Sequence, residues 1–154
     1  MEKSTLRRVL NRILEMLARF APGATTLRPF LHSLRGVRIT GRVFIGDDVY
    51  LENEYPECIE VREGAQICLR SILIAHTRGS GRIVIGKDAF LGANCVVTAS
   101  PGTTPTIGDG AVVATSSVVA AASKEAERPS FYPTARCSSS DSRGLRGRAL
   151  LLPG

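Results

Sequence analysis

Branched aliphatic residues recur at every sixth position through the middle of the chain. They run Ile39, Ile45, Leu51, then Val61, Ile67, Leu73, then Ile85, Leu91, Val97, then Ile107, Val113, Val119. A second column lies two positions earlier, at Val37, Val43, Val49, Ile59, Ala65, Ser71, Ile83, Ala89, Cys95, Pro105, Ala111 and Ser117. Small residues alternate there with branched ones. A period of six fits no helix, whose apolar face repeats near 3.6, and no ordinary strand, whose alternation would run on through the turns. It fits a β-solenoid with three short strands per coil and both columns turned inward. Gly46, Gly86, Gly92 and Gly108 follow the aliphatic position, where glycine is expected to supply turn chemistry between strands.

The lattice breaks at three places. Extra residues between Leu51 and Val61 and between Val97 and Ile107 predict loops at Asn53–Pro56 and Ser100–Thr104. Between Leu73 and Ile85 the phase holds, but Gly79 takes the place of an aliphatic inside the polar run His76–Arg82. The reading is that one strand is given up there with register kept. Local rules are broken most often where function sits, which directs attention to His76. Stacking with no net insertion over 57–97 would put Cys58, His76 and Asn94 in one column, with Glu57 beside it.

Ahead of the lattice, Leu6, Val9, Leu10, Ile13, Leu14 and Leu17 form an apolar stripe at helical spacing, with Ser4 as a cap and Pro22-Gly23 as the stop. Its other face is rich in arginine. Such a helix either covers the open end of the solenoid or lies on an anionic membrane surface; every solenoid needs a cap, so the first is taken as the reading. A second apolar turn, Leu27–Leu34, completes the lid and makes His32 a packing or surface residue. The division expected is a helical cap over 1–35, a β-helix over 36–123 and a tail over 124–154.

The net charge of +6 sits at the ends. Residues 1–38 hold eight Lys and Arg against two acids, 39–123 six against nine, and 124–154 six against three. No base-reading motif accompanies this charge and aromatics are few, so a nucleic-acid partner is not expected. The cysteines have neither metal spacing nor a paired framework, which makes them reduced, structural thiols. Charges divide the amino-terminal apolar residues, arguing against a signal peptide or membrane span, and a cytoplasmic protein is expected, with peripheral membrane contact open.

The lattice, the run ILIAHTRGSGRIVIGKDAFLGANCVV and the closing IGDGAVVATSSVV resemble the left-handed parallel β-helix acyltransferases. The likeness is to the small O-acetyltransferases that modify sugars, antibiotics and cell-envelope polysaccharides, and it covers residues 36–120. It implies a homotrimer with acetyl-CoA in a groove between subunits, and His76 as the base that takes a proton from an acceptor hydroxyl. The acceptor expected is a sugar or polysaccharide intermediate. Ala114, Ser116 and Ser117 occupy the place of the family's small-residue turn against the thioester. Pro133-Thr134-Ala135-Arg136 echoes a family turn that holds CoA, making Arg136 a candidate contact. The tail beyond it departs from the pattern.

Asn94 could orient the acceptor or cofactor, Glu57 or Glu54 could hold the imidazole tautomer, and Arg78 and Arg82 could meet a phosphate or carboxylate. A zinc hydratase on the same coil needs three histidine positions where this chain has two, so no metal is expected. The rival reading is a noncatalytic scaffold or assembly subunit built on the same coil.

Overall fold

The computed structural model describes residues 5–76 and 81–121. Within them the chain forms two helices followed by a left-handed parallel β-helix of four coils. The helices are α1 (Thr5–Phe20) and α2 (Leu27–Arg35). The first coil holds β1 (Arg38–Ile39), β2 (Phe44–Ile45) and β3 (Tyr50–Leu51), and the second β4 (Ile59–Val61), β5 (Gln66–Ile67) and β6 (Ile72–Ile74). The third holds β7 (Ile83–Ile85), β8 (Phe90–Leu91) and β9 (Val96–Ala99), and the fourth β10 (Thr106–Ile107), β11 (Val112–Val113) and β12 (Val118–Ala121). Each strand pairs in parallel with its counterpart one coil away, giving three four-stranded sheets: β1-β4-β7-β10, β2-β5-β8-β11 and β3-β6-β9-β12.

Both sequence columns point into the prism. Ile45, Leu51, Ile59, Val61, Ala65, Ile67, Leu73, Ile83, Ile85, Leu91, Cys95 and Val97 have no exposed surface. Ser71, the polar member of the small column, is buried with its hydroxyl donating to the carbonyl of Gly92 at 3.0 Å. That bond removes the penalty of a hydroxyl in an apolar core.

The register corrects the reading of the third break. Ile59 pairs with Ile83, Gln66 with Phe90 and Ile72 with Val96, so no strand is given up. A longer connection has been inserted between β6 and β7 instead, and its phase matched the lattice because its extra length is itself one repeat. It follows that Cys58, His76 and Asn94 do not share a column. Asn94 belongs to the corner between β8 and β9 and bonds back to the corner below, through Asn94 N–H to Leu69 O at 3.0 Å.

Glycine has a different task from the one expected. A Cβ on Gly46 would lie 2.7 Å from the amide nitrogen of Leu69, and one on Gly92 2.6 Å from that of Thr115. These glycines let consecutive coils approach. The left-handed backbone sits elsewhere, mostly two residues further on, at Asp48, Asp88 and Asn94 with φ of 52°, 53° and 55°. Short polar side chains tolerate that conformation because they bond locally.

The helices do cap the first coil, but through their polar faces. Arg28 donates to the carbonyls of Ala21 and Ile45 at 2.6 and 3.1 Å, and Arg35 to those of Leu51 and Glu52 at 3.0 and 2.9 Å. In the other direction Ile45 N–H donates to Ala24 O at 2.8 Å and Asp48 N–H to Arg19 O at 3.2 Å. The open end of a parallel coil presents unpaired carbonyls and amides, and guanidinium forks satisfy several carbonyls at once. The apolar stripe of α1 therefore faces outward, against the expectation that it would cover the core: Leu17 is 55% and Phe20 79% exposed, while Asn11, Glu15 and Ala18 are buried.

Candidate active site

Three loops leave the corner between the third and first sheets, following β3, β6 and β9. The second carries His76. Its base is closed by Gly81 N–H donating to Ala75 O at 2.7 Å, and a Cβ on Gly81 would meet that of Ala99 at 2.6 Å. The imidazole thus emerges from a point held on both sides by the coil.

His76 is half-buried, and its Nδ1 lies in a close hydrogen bond with Oε2 of Glu52. The Glu52 side chain is 1% exposed. Its other oxygen, Oε1, accepts the amide N–H of Glu54 at 2.8 Å. Below it, Arg35 is fully buried and also donates to Asn53 Oδ1 at 2.7 Å and to His32 Nδ1 at 2.9 Å. Asn11 of α1 reaches the Asn53 carbonyl at 3.3 Å. The carboxylate is therefore fixed within its own loop, and both helices hold that loop.

With the proton on Nδ1 and directed at Glu52, the lone pair resides on Nε2. This is the tautomer a general base requires, and an acceptor on the far nitrogen both orients the ring and favours the imidazolium that forms. Nε2 lies 3.9 Å from Oε2 of Glu54, and the Tyr55 ring packs edge-on at 5.7 Å between centroids.

Sequence reasoning named Glu57 or Glu54 for the imidazole. The acceptor is Glu52, missed because it directly follows an inward lattice residue and reads as the start of a solvated acidic loop. A usable signal existed: Glu52 is the acid immediately after an inward residue, and the corresponding strand end one coil on leads to His76. Glu57 stands in a short 3-10 turn, Pro56–Cys58.

The remaining candidates are dispersed. Arg82 forms a close ion pair with Glu60, which Arg62 also reaches at 3.0 Å; these hydrogen bonds hold the Glu60 carboxyl below the usual range. Ala114, Ser116 and Ser117 lie at the same corner as Asn94, one coil further along. Ser116 N–H donates to Ala93 O at 2.8 Å, with Ser116 itself left-handed at φ 60°. Arg78 and Arg136 fall outside the described residues.

His32 is wholly buried and meets this corner only through Arg35. Burial, together with the charges of Arg35 and Arg28, lowers its pKa to about 3. Cys58, Cys68 and Cys95 are not joined in disulfides, and no His, Cys, Asp and Glu cluster among the described residues has the arrangement of a metal site.

A family model described as the hexapeptide repeat of succinyl-transferase matches residues 82–121. Those residues form the third and fourth coils. No curated protein and no solved structure gives a match.

Proposed function

We propose that this hexapeptide-repeat β-helix protein is an acyltransferase that moves an acetyl group from acetyl-CoA to a hydroxyl, with a sugar or polysaccharide intermediate as acceptor. The observation that carries the reading is the Glu52–His76 pair. A histidine whose Nδ1 is held by a buried carboxylate presents Nε2 as a base, and a corner loop over a rigid coil keeps it in place.

In the reaction His76 Nε2 takes the proton of the acceptor hydroxyl as its oxygen bonds to the thioester carbonyl carbon. Collapse of the tetrahedral adduct breaks the carbon–sulfur bond. The imidazolium returns its proton to the departing thiolate, so no covalent enzyme intermediate is needed. Glu52 stabilises the imidazolium between the two transfers. Small residues at Ala114, Ser116 and Ser117 would lie along the thioester, and Asn94, Glu57 and Arg78 beside the acceptor or phosphates. Arg136 would meet the CoA phosphates, and Arg82 would serve there only by leaving Glu60. A CoA thioester as donor puts the reaction in the cytoplasm.

The reading includes a homotrimer with the donor between neighbours. It is supported by apolar residues on the outside of the coil, Phe90 and Val112 on the second sheet, with Phe44 beyond the polar Gln66, and Ile72, Val96 and Val118 on the third. They adjoin the corner marked by Leu69, which is also exposed. Apolar rows of this kind on two adjacent faces suit burial between identical subunits.

The test is thermal unfolding with and without acetyl-CoA, followed by an acceptor screen. A ligand that binds only the folded protein raises its melting temperature. Wild type and His76→Ala should both shift, and only wild type should turn over. A wild type that does not shift removes the transferase reading and leaves a scaffold.

A further inference from the structure

Both helices rest on the first coil through polar residues: Asn11 and Arg19 from α1, Arg28 and Arg35 from α2. Their apolar faces are consequently left exposed. On α1, Leu6, Val9, Leu10, Ile13, Leu17 and Phe20 are exposed. On α2, Phe30 is 58% exposed and Leu34 lies one turn on. No polar residue interrupts the outward stripe of α1, which from Leu6 to Phe20 extends about 21 Å at 1.5 Å per residue.

Charge decides what fits this face. Arg8 and Arg12, one turn apart and exposed, border the stripe on one side, and Arg7 is exposed as well. The single acid of α1 and α2, Glu15, is buried beneath and paired with Arg19 at 3.5 Å. A second copy meeting this face through its own would bring the arginines of both together, at a repulsive cost. A surface with apolar depth and negative headgroups satisfies both features. No described helix is long and apolar enough to cross a membrane, which leaves one lying in its plane.

We infer that the outward face of α1 and α2 is a docking surface for an anionic lipid bilayer. The polar inner faces of the helices keep the coil capped whether or not lipid is present. Because Asn11 and Arg35 also brace the loop of Glu52, docking holds the His76 corner close to the membrane surface. The inference stands apart from the transferase reading.

The full chain should be sedimented with vesicles of phosphatidylcholine alone and with vesicles rich in phosphatidylglycerol, at low and high salt. Binding is expected to the anionic vesicles, weakening with salt. Ile13→Glu with Leu17→Glu should lower it at least tenfold, and Arg8→Gln with Arg12→Gln should remove most of the salt dependence. Both variants should retain the wild-type melting temperature and mass in solution. Absence of wild-type binding, or binding untouched by the double glutamate variant, overturns the inference. So does a fall in solution mass in that variant, which would assign the face to a contact between copies.

Discussion

Arg35, the last residue of α2, donates to the carbonyl oxygen of Glu52 at 2.9 Å. The residue that caps the coil is thereby in contact with the residue that orients His76. Replacing Arg35 with methionine keeps the apolar volume but strips donors from two backbone carbonyls, Asn53 Oδ1 and His32. Leaving a buried acceptor without its donor typically costs about 1–3 kcal/mol. Denaturant unfolding of Arg35→Met should reveal a loss of that order, and Arg35→Lys a smaller one, since a single ammonium cannot span the same acceptors. A loss under about 1 kcal/mol for the methionine variant would mean the cap is held elsewhere.

Glu52→Gln separates positioning from folding at the candidate site. The amide fills the same space but no longer stabilises an imidazolium, so turnover should fall about a hundredfold or more, with the KM for acetyl-CoA little changed. Glu54→Gln, altering the oxygen 3.9 Å from Nε2, should have a much smaller effect on turnover. Equal effects from the two would argue for a diffuse acidic field around His76 rather than a defined pair.

The sequence made the coil legible because inward positions of a solenoid tolerate few residue types and the period is set by strand plus corner. It made His76 legible because a polar run interrupted that period. What it concealed has physical causes. The insertion between β6 and β7 equals one repeat, so phase alone could not separate a missing strand from an added loop. Glu52 was hidden because the strand end that carries it is braced by Arg35, contributed from a helix before the lattice begins. The outward stripe of α1 was hidden because amphipathicity specifies two faces, and here the end of the coil required hydrogen-bond donors rather than apolar cover.

Coil contact makes equivalent glycines unequal. A Cβ on Gly92 would collide with the backbone of Ala114 and Thr115, whereas no described atom lies within 4 Å of one on Gly108. Gly92→Ala should therefore destabilise by about 1–3 kcal/mol through forced separation of the third and fourth coils. Gly108→Ala should be neutral or gain about 0.4–1 kcal/mol from the stiffer unfolded chain. Melting temperatures of the two variants decide the point, and equal losses would return these glycines to a turn role.

His32 gives the fold a pH dependence whose sign follows from its surroundings. In the folded protein it is neutral, with a pKa lowered to about 3 by burial and the guanidinium charges of Arg35 and Arg28, against 6.5 for a free imidazole. Between those values the unfolded chain binds the extra proton, so stability present above about pH 6.5 is lost as pH falls toward about 3. The slope approaches 1.4 kcal/mol per unit, or about 2 kcal/mol by pH 5. Glu15, whose carboxyl is pushed up mainly by burial, acts with the opposite sign, losing stability as pH rises through its own range. The His32 contribution is therefore read by difference. His32→Asn preserves an acceptor for Arg35 and does not titrate, so urea unfolding of the variant should show a flatter profile from pH 6.5 to 5 than wild type. Parallel profiles would show that His32 is protonated in the folded protein after all.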